Sequence, residues 1–167
     1  MAGSPQVLIL MGSDSDLPVM REAADILERF GVPWEMRISS AHRSPVRTMS
    51  LASEAADRGV RIIIAGAGMA AHLAGVIAAK TTLPVIGVPM PGGALNGVDA
   101  LYSTVQMPGG IPVATMAIGK PGAKNAGLFA VQVLALTDGR LADALHEYRR
   151  EMEQEVADKD AELAGHT

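Results

Sequence analysis

The stretch VRIIIAGAGMAAHLAGVIAAK, residues 60–80, contains a complete structural unit. Its β-branched run predicts a buried strand at 60–65. A turn of small residues follows, and the apolar positions beyond it fall on or beside one face of a helix: Leu73, Val76, Ile77 and Lys80. Strand, short turn and helix in this order form the repeating unit of α/β proteins.

Similar units lie on both sides of this stretch. Short apolar runs predict four more strands, at 6–11, 33–39, 83–90 and 111–118. After the first of them, four apolar residues recur at helical spacing and predict a helix: Leu17, Met20, Ala24 and Leu27.

The remaining helices follow from start signals and spacing. The second helix is expected to begin with Ser44 as N-cap and Pro45 as its first residue, and to bury a stripe of Met49, Ala52 and Ala56. A short helix is predicted at 98–106 and a longer one at 123–136.

Alternating strands and helices predict a parallel sheet with helices on both faces, because each crossover between parallel strands is right-handed. We expect a doubly wound, flavodoxin-like αβα sandwich of five strands in the order 2-1-3-4-5. Ligands of such sheets lie outside the carboxyl ends of the strands, where the direction of the connections reverses. Three turns meet there, at 12–16, 40–45 and 66–72.

The chain of 167 residues is expected to form a single domain, 1–167, with a core at about 6–136 and a C-terminal helical segment at about 139–164. That segment is rich in charge but carries an apolar seam: Leu141, Leu145, Tyr148 and Met152. Hydrophobic residues make up 49% of the chain and charged residues 19%. This balance predicts an oligomer that hides apolar surface between subunits.

Several function classes are excluded by composition. The net charge is −4 and the basic residues do not cluster, so no nucleic-acid partner is predicted. Cysteine is absent, which removes thiolate metal sites and thiol nucleophiles, and the four histidines show no pairing that predicts a metal site. We see no signal segment or membrane span and expect a cytoplasmic protein.

Polar residues in the first two turns suit a phosphorylated sugar. Asp16 is assigned to neutral hydroxyls such as a ribose diol, with Ser13 as a donor, because a carboxylate repels phosphate. The alternative is that Asp16 only caps a helix. Arg43 supplies a planar cation for phosphate beside a helix start, or else forms a surface salt bridge.

Two histidines fall in the same turns. His42 stands beside Arg43, and nearby Asp14 or Asp16 would favour its charged form, so it can titrate near neutrality as a general acid or base. The alternative is a polar loop residue. His72 either lines the pocket or caps the third helix. Gly68 lets the backbone approach a ligand, but the spacing is not that of a dinucleotide-binding loop.

Four motifs together resemble the PurE family, the 5-(carboxyamino)imidazole ribonucleotide mutases of purine biosynthesis. They are MGSDSD, SAHRSP, AGAGMAAHLAGVIAAKTTLPVIGVP and STVQMPGGIPVATMAIG followed by NAG, and they span roughly residues 6 to 136. The resemblance implies a homo-octamer, no metal or organic cofactor, and transfer of a carboxyl group from an exocyclic nitrogen to carbon 4 of an aminoimidazole ribonucleotide.

The resemblance also implies residue roles. Ser13, Asp16 and Arg43 would bind the ribose phosphate, and His42 would be the general acid and base. Three further residues would line the pocket: Ser40, Gly68 and His72. The sequence departs from many family members at three positions that we expect to touch the pocket lining, Leu17, Met69 and Ala74.

Two other functions are compatible with parts of this pattern. An aminoimidazole ribonucleotide carboxylase that uses CO2 directly belongs to the same family, but such members tend to carry Lys where Arg43 stands. A non-catalytic nucleotide-binding module would share the fold and the phosphate site but has no need of His42.

Overall fold

The computed structural model describes residues 4–165. One of the four histidines, His166, lies outside this range. The chain divides into two compact units, Met1–Ala130 and Val131–Thr167. The assignment of the whole chain to one domain stays a prediction.

The first unit is built on one sheet of five parallel strands in the order β2-β1-β3-β4-β5, as predicted. The strands are Val7–Met11 (β1), Trp34–Ile38 (β2), Ile62–Ala67 (β3), Val85–Pro89 (β4) and Ala114–Thr115 (β5). Every residue of β1 and β4 is buried, as are the first five of β3. Burial on both faces explains why these strands are continuous apolar runs rather than alternating ones.

Helices cover both faces of the sheet. They are Leu17–Arg29 (α1), Pro45–Ser53 (α2), Leu73–Ala78 (α3), Val98–Val105 (α4) and Lys120–Ala135 (α5). On one face, buried residues of α2 and α3 pack in a single core with those of β1 and β3. On the other face α1 lies so close that a methyl group on Gly66 would clash with Met20. The predicted three layers are therefore present.

Several element boundaries differ from the predictions, among them those of β3, β5 and α2. β3 extends to Ala67, two residues beyond the predicted end, because the small residues continue the ladder. β5 has only two residues, three fewer at each end than predicted, and Pro112, which has no N–H to donate, lies just before it. α2 ends at Ser53 and a 3₁₀ turn, Ala56–Arg58, follows, so that Ala55 rather than Ala56 is buried.

The second unit contains the helix Gly139–Ala164 (α6), as predicted. The Asp138 carboxylate caps it by accepting the N–H groups of Arg140 and Leu141 at 3.0 and 3.3 Å. Leu141 and Tyr148 of the seam are buried, whereas Met152 is 37% exposed. Across residues 4–165, every helix is too short or too polar to cross a membrane.

Candidate active site

A cavity of about 510 Å³ opens at the carboxyl ends of the strands. The turns after β1, β2 and β3 line it, which is the arrangement expected of a doubly wound sheet. All seven site residues predicted from the sequence contribute to its wall: Ser13, Asp16, Ser40, His42, Arg43, Gly68 and His72. Their convergence follows from the strand order, which places β2 and β3 on either side of β1.

A fourth segment of the wall contains none of the predicted site residues. Met90, Pro91, Gly92 and Gly93 follow β4 and line the same cavity. The signal was present in the sequence, because a Pro-Gly-Gly turn directly after a buried strand marks a loop at the same sheet edge.

The turn after β2 is held by hydrogen bonds among its own residues. The Ser44 hydroxyl accepts the N–H of Ser40 at 3.0 Å and donates to the Ser40 carbonyl at 3.1 Å. Ser44 stands at the N-cap position but its side chain does not cap α2. The predicted cap residue therefore closes the turn that presents His42 and Arg43.

Arg43 is fixed at the junction of two turns. Its backbone N–H donates to the Ser40 hydroxyl at 3.1 Å, and its guanidinium donates to the Gly12 carbonyl at 3.1 Å. The remaining guanidinium N–H groups can bind an anion. A neighbouring cavity of about 470 Å³ shares Arg43, Ser13 and Ser40 with the first.

Asp16 lies at the N-cap position of α1, yet its carboxylate makes no capping hydrogen bond. Partial burial raises the pKa of Asp16 above its ordinary value of 3.8, and the nearby Arg43 charge opposes this rise. A carboxylate that the helix does not use, and that faces a cavity, is available to accept hydrogen bonds from hydroxyls.

His42 and His72 form a hydrogen-bonded pair. Nε2 of His42 lies 2.9 Å from Nδ1 of His72, and the two rings meet edge to face with centroids 5.0 Å apart. One nitrogen must carry the hydrogen and the other must accept it. The hydrogen bond therefore joins the two rings into one unit, with a hydrogen between the two nitrogens. The sequence placed both histidines in the turns of the site but did not predict that they pair with each other.

Comparison with known proteins identifies the family. A family model described as AIR carboxylase matches residues 6–155. The chain belongs to the AIR carboxylase family. The resemblance to the PurE proteins is thereby confirmed.

Relatives and solved structures agree with this assignment. The chain is 59% identical over 160 residues to the N5-carboxyaminoimidazole ribonucleotide mutase of Synechocystis, covering 96% of this chain and 90% of the relative. It is 54% identical to the mutase of Bacillus subtilis, covering 95% of this chain and 98% of that relative. The crystal structure of Treponema denticola PurE superposes with a TM-score of 0.85 at 33% identity, covering 95% of this chain and 98% of that one.

Gly68 is a lining residue at which a larger side chain would not fit. A methyl group on Gly68 would lie 3.3 Å from Cβ of Met90, tighter than ordinary contact. Glycine therefore lets the turn after β3 approach the segment after β4.

The three departures from the AIR carboxylase family pattern are not equivalent. Met69 lines the cavity, whereas Leu17 and Ala74 are not among the residues that line it. Leu17 is 46% exposed and Ala74 is buried in the core. The expectation that all three touch the pocket lining is therefore wrong for two of them.

Within the described residues, His, Asp and Glu side chains do not gather in groups of three that could hold a metal ion.

Proposed function

We propose that the chain is an N5-carboxyaminoimidazole ribonucleotide mutase acting in purine biosynthesis. The observation that carries the proposal is the hydrogen-bonded His42 and His72 pair in a cavity that Arg43 and Asp16 also line. A cation for phosphate, a carboxylate for ribose hydroxyls and a proton-transfer pair are the three parts that this reaction needs from the protein.

Substrate binding is assigned to the turns after β1 and β2. The free guanidinium N–H groups of Arg43 bind the phosphate, with the Ser13 and Ser40 hydroxyls as further donors. Asp16 accepts hydrogen bonds from the ribose hydroxyls. Gly68 leaves room for the imidazole ring against the turn after β3. His42 and His72 face the ring.

The reaction moves one carboxyl group and one proton. The bond between the exocyclic nitrogen and the carboxyl carbon breaks, its electron pair stays on nitrogen, and His42 delivers a proton there. Carbon 4 then attacks the released CO2, and the pair removes the hydrogen that carbon 4 carried. The atoms balance, because the product is an isomer of the substrate. His42 gives up one proton in the first step and the pair regains one in the second, so the pair ends the cycle in the protonation state in which it began.

Direct carboxylation of the decarboxylated ribonucleotide is the second candidate, because a relative of that activity class matches the chain. The phosphoribosylaminoimidazole carboxylase of Candida glabrata is 52% identical, but the chain covers only 28% of that protein. The mutases are matched over nearly their whole lengths, which favours the mutase.

Incubation of the purified protein with the carbamate substrate tests the function. We expect the 4-carboxylate to form without added bicarbonate. A turnover that instead required the decarboxylated ribonucleotide and dissolved CO2 would replace the mutase by the carboxylase. Ribonucleotide binding with no turnover of either compound would indicate a non-catalytic module.

We also propose a homo-octamer in the cytoplasm. Exposed apolar residues of α4 support subunit contacts: Val98, Tyr102 and Val105 recur on one helix face and are 43%, 61% and 47% exposed. The cytoplasm follows from the proposed substrate, because a phosphorylated ribonucleotide does not cross membranes and its enzyme must share its compartment.

A further inference from the structure

Met69 adopts a backbone conformation that methionine rarely takes. Its φ is +55°, in the left-handed region, where a Cβ crowds the following carbonyl oxygen. Among the described residues, Asn96 is the other non-glycine residue with positive φ, at +49°. Asparagine tolerates this region through local hydrogen bonding, whereas methionine has no such compensation. The surrounding structure therefore holds Met69 against its own preference.

The Met69 side chain lies close to the segment after β4. A methyl group built on Gly93 would lie 3.5 Å from Cγ of Met69, so the side chain lies within van der Waals reach of that loop. Met69 belongs to the turn after β3 and Gly93 to the segment after β4, and both line the cavity. Met69 is also 63% exposed, which places it at the mouth rather than at the floor.

We propose that Met69 is a lid residue that retains CO2 between its release from nitrogen and its capture by carbon 4. The inference rests on the proposed function. Between those steps the carboxyl carbon is a small, apolar, uncharged molecule that hydrogen bonds cannot hold, so only a closed wall keeps it near carbon 4. A flexible, polarizable thioether chain over the mouth supplies that wall and excludes water.

The backbone strain at Met69 lowers the stability of the protein, and this effect can be measured separately from the retention of CO2. Replacing Met69 by glycine removes both the side chain and the strain, so stability and retention of CO2 should change in opposite directions. Asn96→Gly is the matched control, since it relieves a left-handed residue of the neighbouring loop that does not line the cavity.

The experiment supplies carbamate labelled with ¹³C at its carboxyl carbon and follows two products, the 4-carboxylate and free labelled CO2. A sample without enzyme corrects for spontaneous loss. We expect Met69→Gly to melt about 2–4 °C higher than the parent while the fraction of carbamate lost as CO2 rises several-fold. Asn96→Gly should keep the parent's ratio of products. Met69→Leu should stay close to that ratio, because leucine also covers the mouth of the cavity.

An unchanged product ratio in Met69→Gly, with the parent converting carbamate to 4-carboxylate, would overturn the lid and leave the mutase intact. Equal leakage in Met69→Gly and Asn96→Gly would also overturn it, because loosening of the loop would then suffice. A parent protein that forms no 4-carboxylate would overturn the proposed function, and the lid with it.

Discussion

The chemistry proposed for this protein depends on a contact between two side chains 30 residues apart. An isolated imidazole in a loop can bind a proton, but its ring turns freely. The 2.9 Å hydrogen bond to His72 fixes the plane of His42 and gives its proton a second position. Both effects favour a group that must give a proton and then take one.

The first prediction concerns His42. His42→Asn preserves size and hydrogen bonding but cannot transfer a proton, so kcat should fall at least about a hundredfold while ribonucleotide binding changes little. The measurement is kcat beside a binding isotherm on the same protein. Turnover near the parent's rate would remove His42 from the mechanism, and lost binding with normal kcat would make it a substrate anchor.

The second prediction concerns His72. Loss of one neutral hydrogen bond should lower kcat by about 3- to 10-fold in His72→Asn. Because the two rings act as one unit, the double variant His42→Asn with His72→Asn should be no slower than His42→Asn alone. Additive losses in this double-mutant cycle would show that the two histidines act independently.

The third prediction concerns pH and Asp16. Burial raises the pKa of Asp16 above 3.8, so the ionised carboxylate destabilises the fold at neutral pH. Asp16→Asn should therefore be more stable than the parent at neutral pH. The difference should shrink as pH falls through the raised pKa and disappear below 3.8. Thermal melts of both proteins across this pH range check the sign.

Asp16→Asn should bind the ribonucleotide more weakly than the parent, although it is more stable at neutral pH. Loss of charge-assisted hydrogen bonds weakens ribonucleotide binding by about 10- to 100-fold, whereas an analogue without ribose should be affected less. Equal weakening for both ligands would return Asp16 to a purely structural role.

At the scale of elements, the sequence was informative wherever one local rule acted alone. Buried strands and their order followed from apolar runs and right-handed crossovers, and α6 followed from its spacing. The length of β5 and the end of α2 did not: β5 is three residues shorter than predicted at each end, and a 3₁₀ turn follows the early end of α2. The site residues could be named because strand order brings their turns together. The histidine pair could not, since it depends on side-chain rotamers.

A close approach at the start of α5 leads to the fourth prediction. A methyl group on Gly122 would lie 2.6 Å from the carbonyl carbon of Ala117, and nearer still to its oxygen. Gly122→Ala should therefore destabilise the protein by about 1–3 kcal/mol through overpacking. Gly139→Ala is the control, because nothing lies within 4 Å of a methyl group there and alanine favours the helix. Denaturant unfolding of both variants measures the difference, and equal stabilities would contradict the steric argument.

At the scale of the whole molecule, apolar surface remains that the chain itself does not cover. Val98, Tyr102 and Val105 of α4 form a row, and Leu95 just before the helix is 60% exposed. Rows of this kind on a protein are typical of surfaces buried between copies. The octamer implied by the family resemblance would give this face a partner.

The fifth prediction tests that assembly. Tyr102→Glu places a charge in the centre of the row, and burying it unpaired between subunits is costly. We expect light scattering to show smaller species than the parent at the same concentration. Arg61→Glu, at an exposed site just before β3, controls for added negative charge and should assemble normally. An octameric Tyr102→Glu protein would move the contact to another face.

The contact between His42 and His72 forms late in the folding of the chain. His42 follows β2 and His72 follows β3, and these strands are not neighbours, because each pairs with β1. The two rings can meet only after both crossovers have closed and three strands are in register. Local helices form early in refolding, whereas contacts distant in sequence form late. Recovery of turnover should therefore trail recovery of helical circular dichroism, so that enzymatic activity reports the completion of folding rather than its onset.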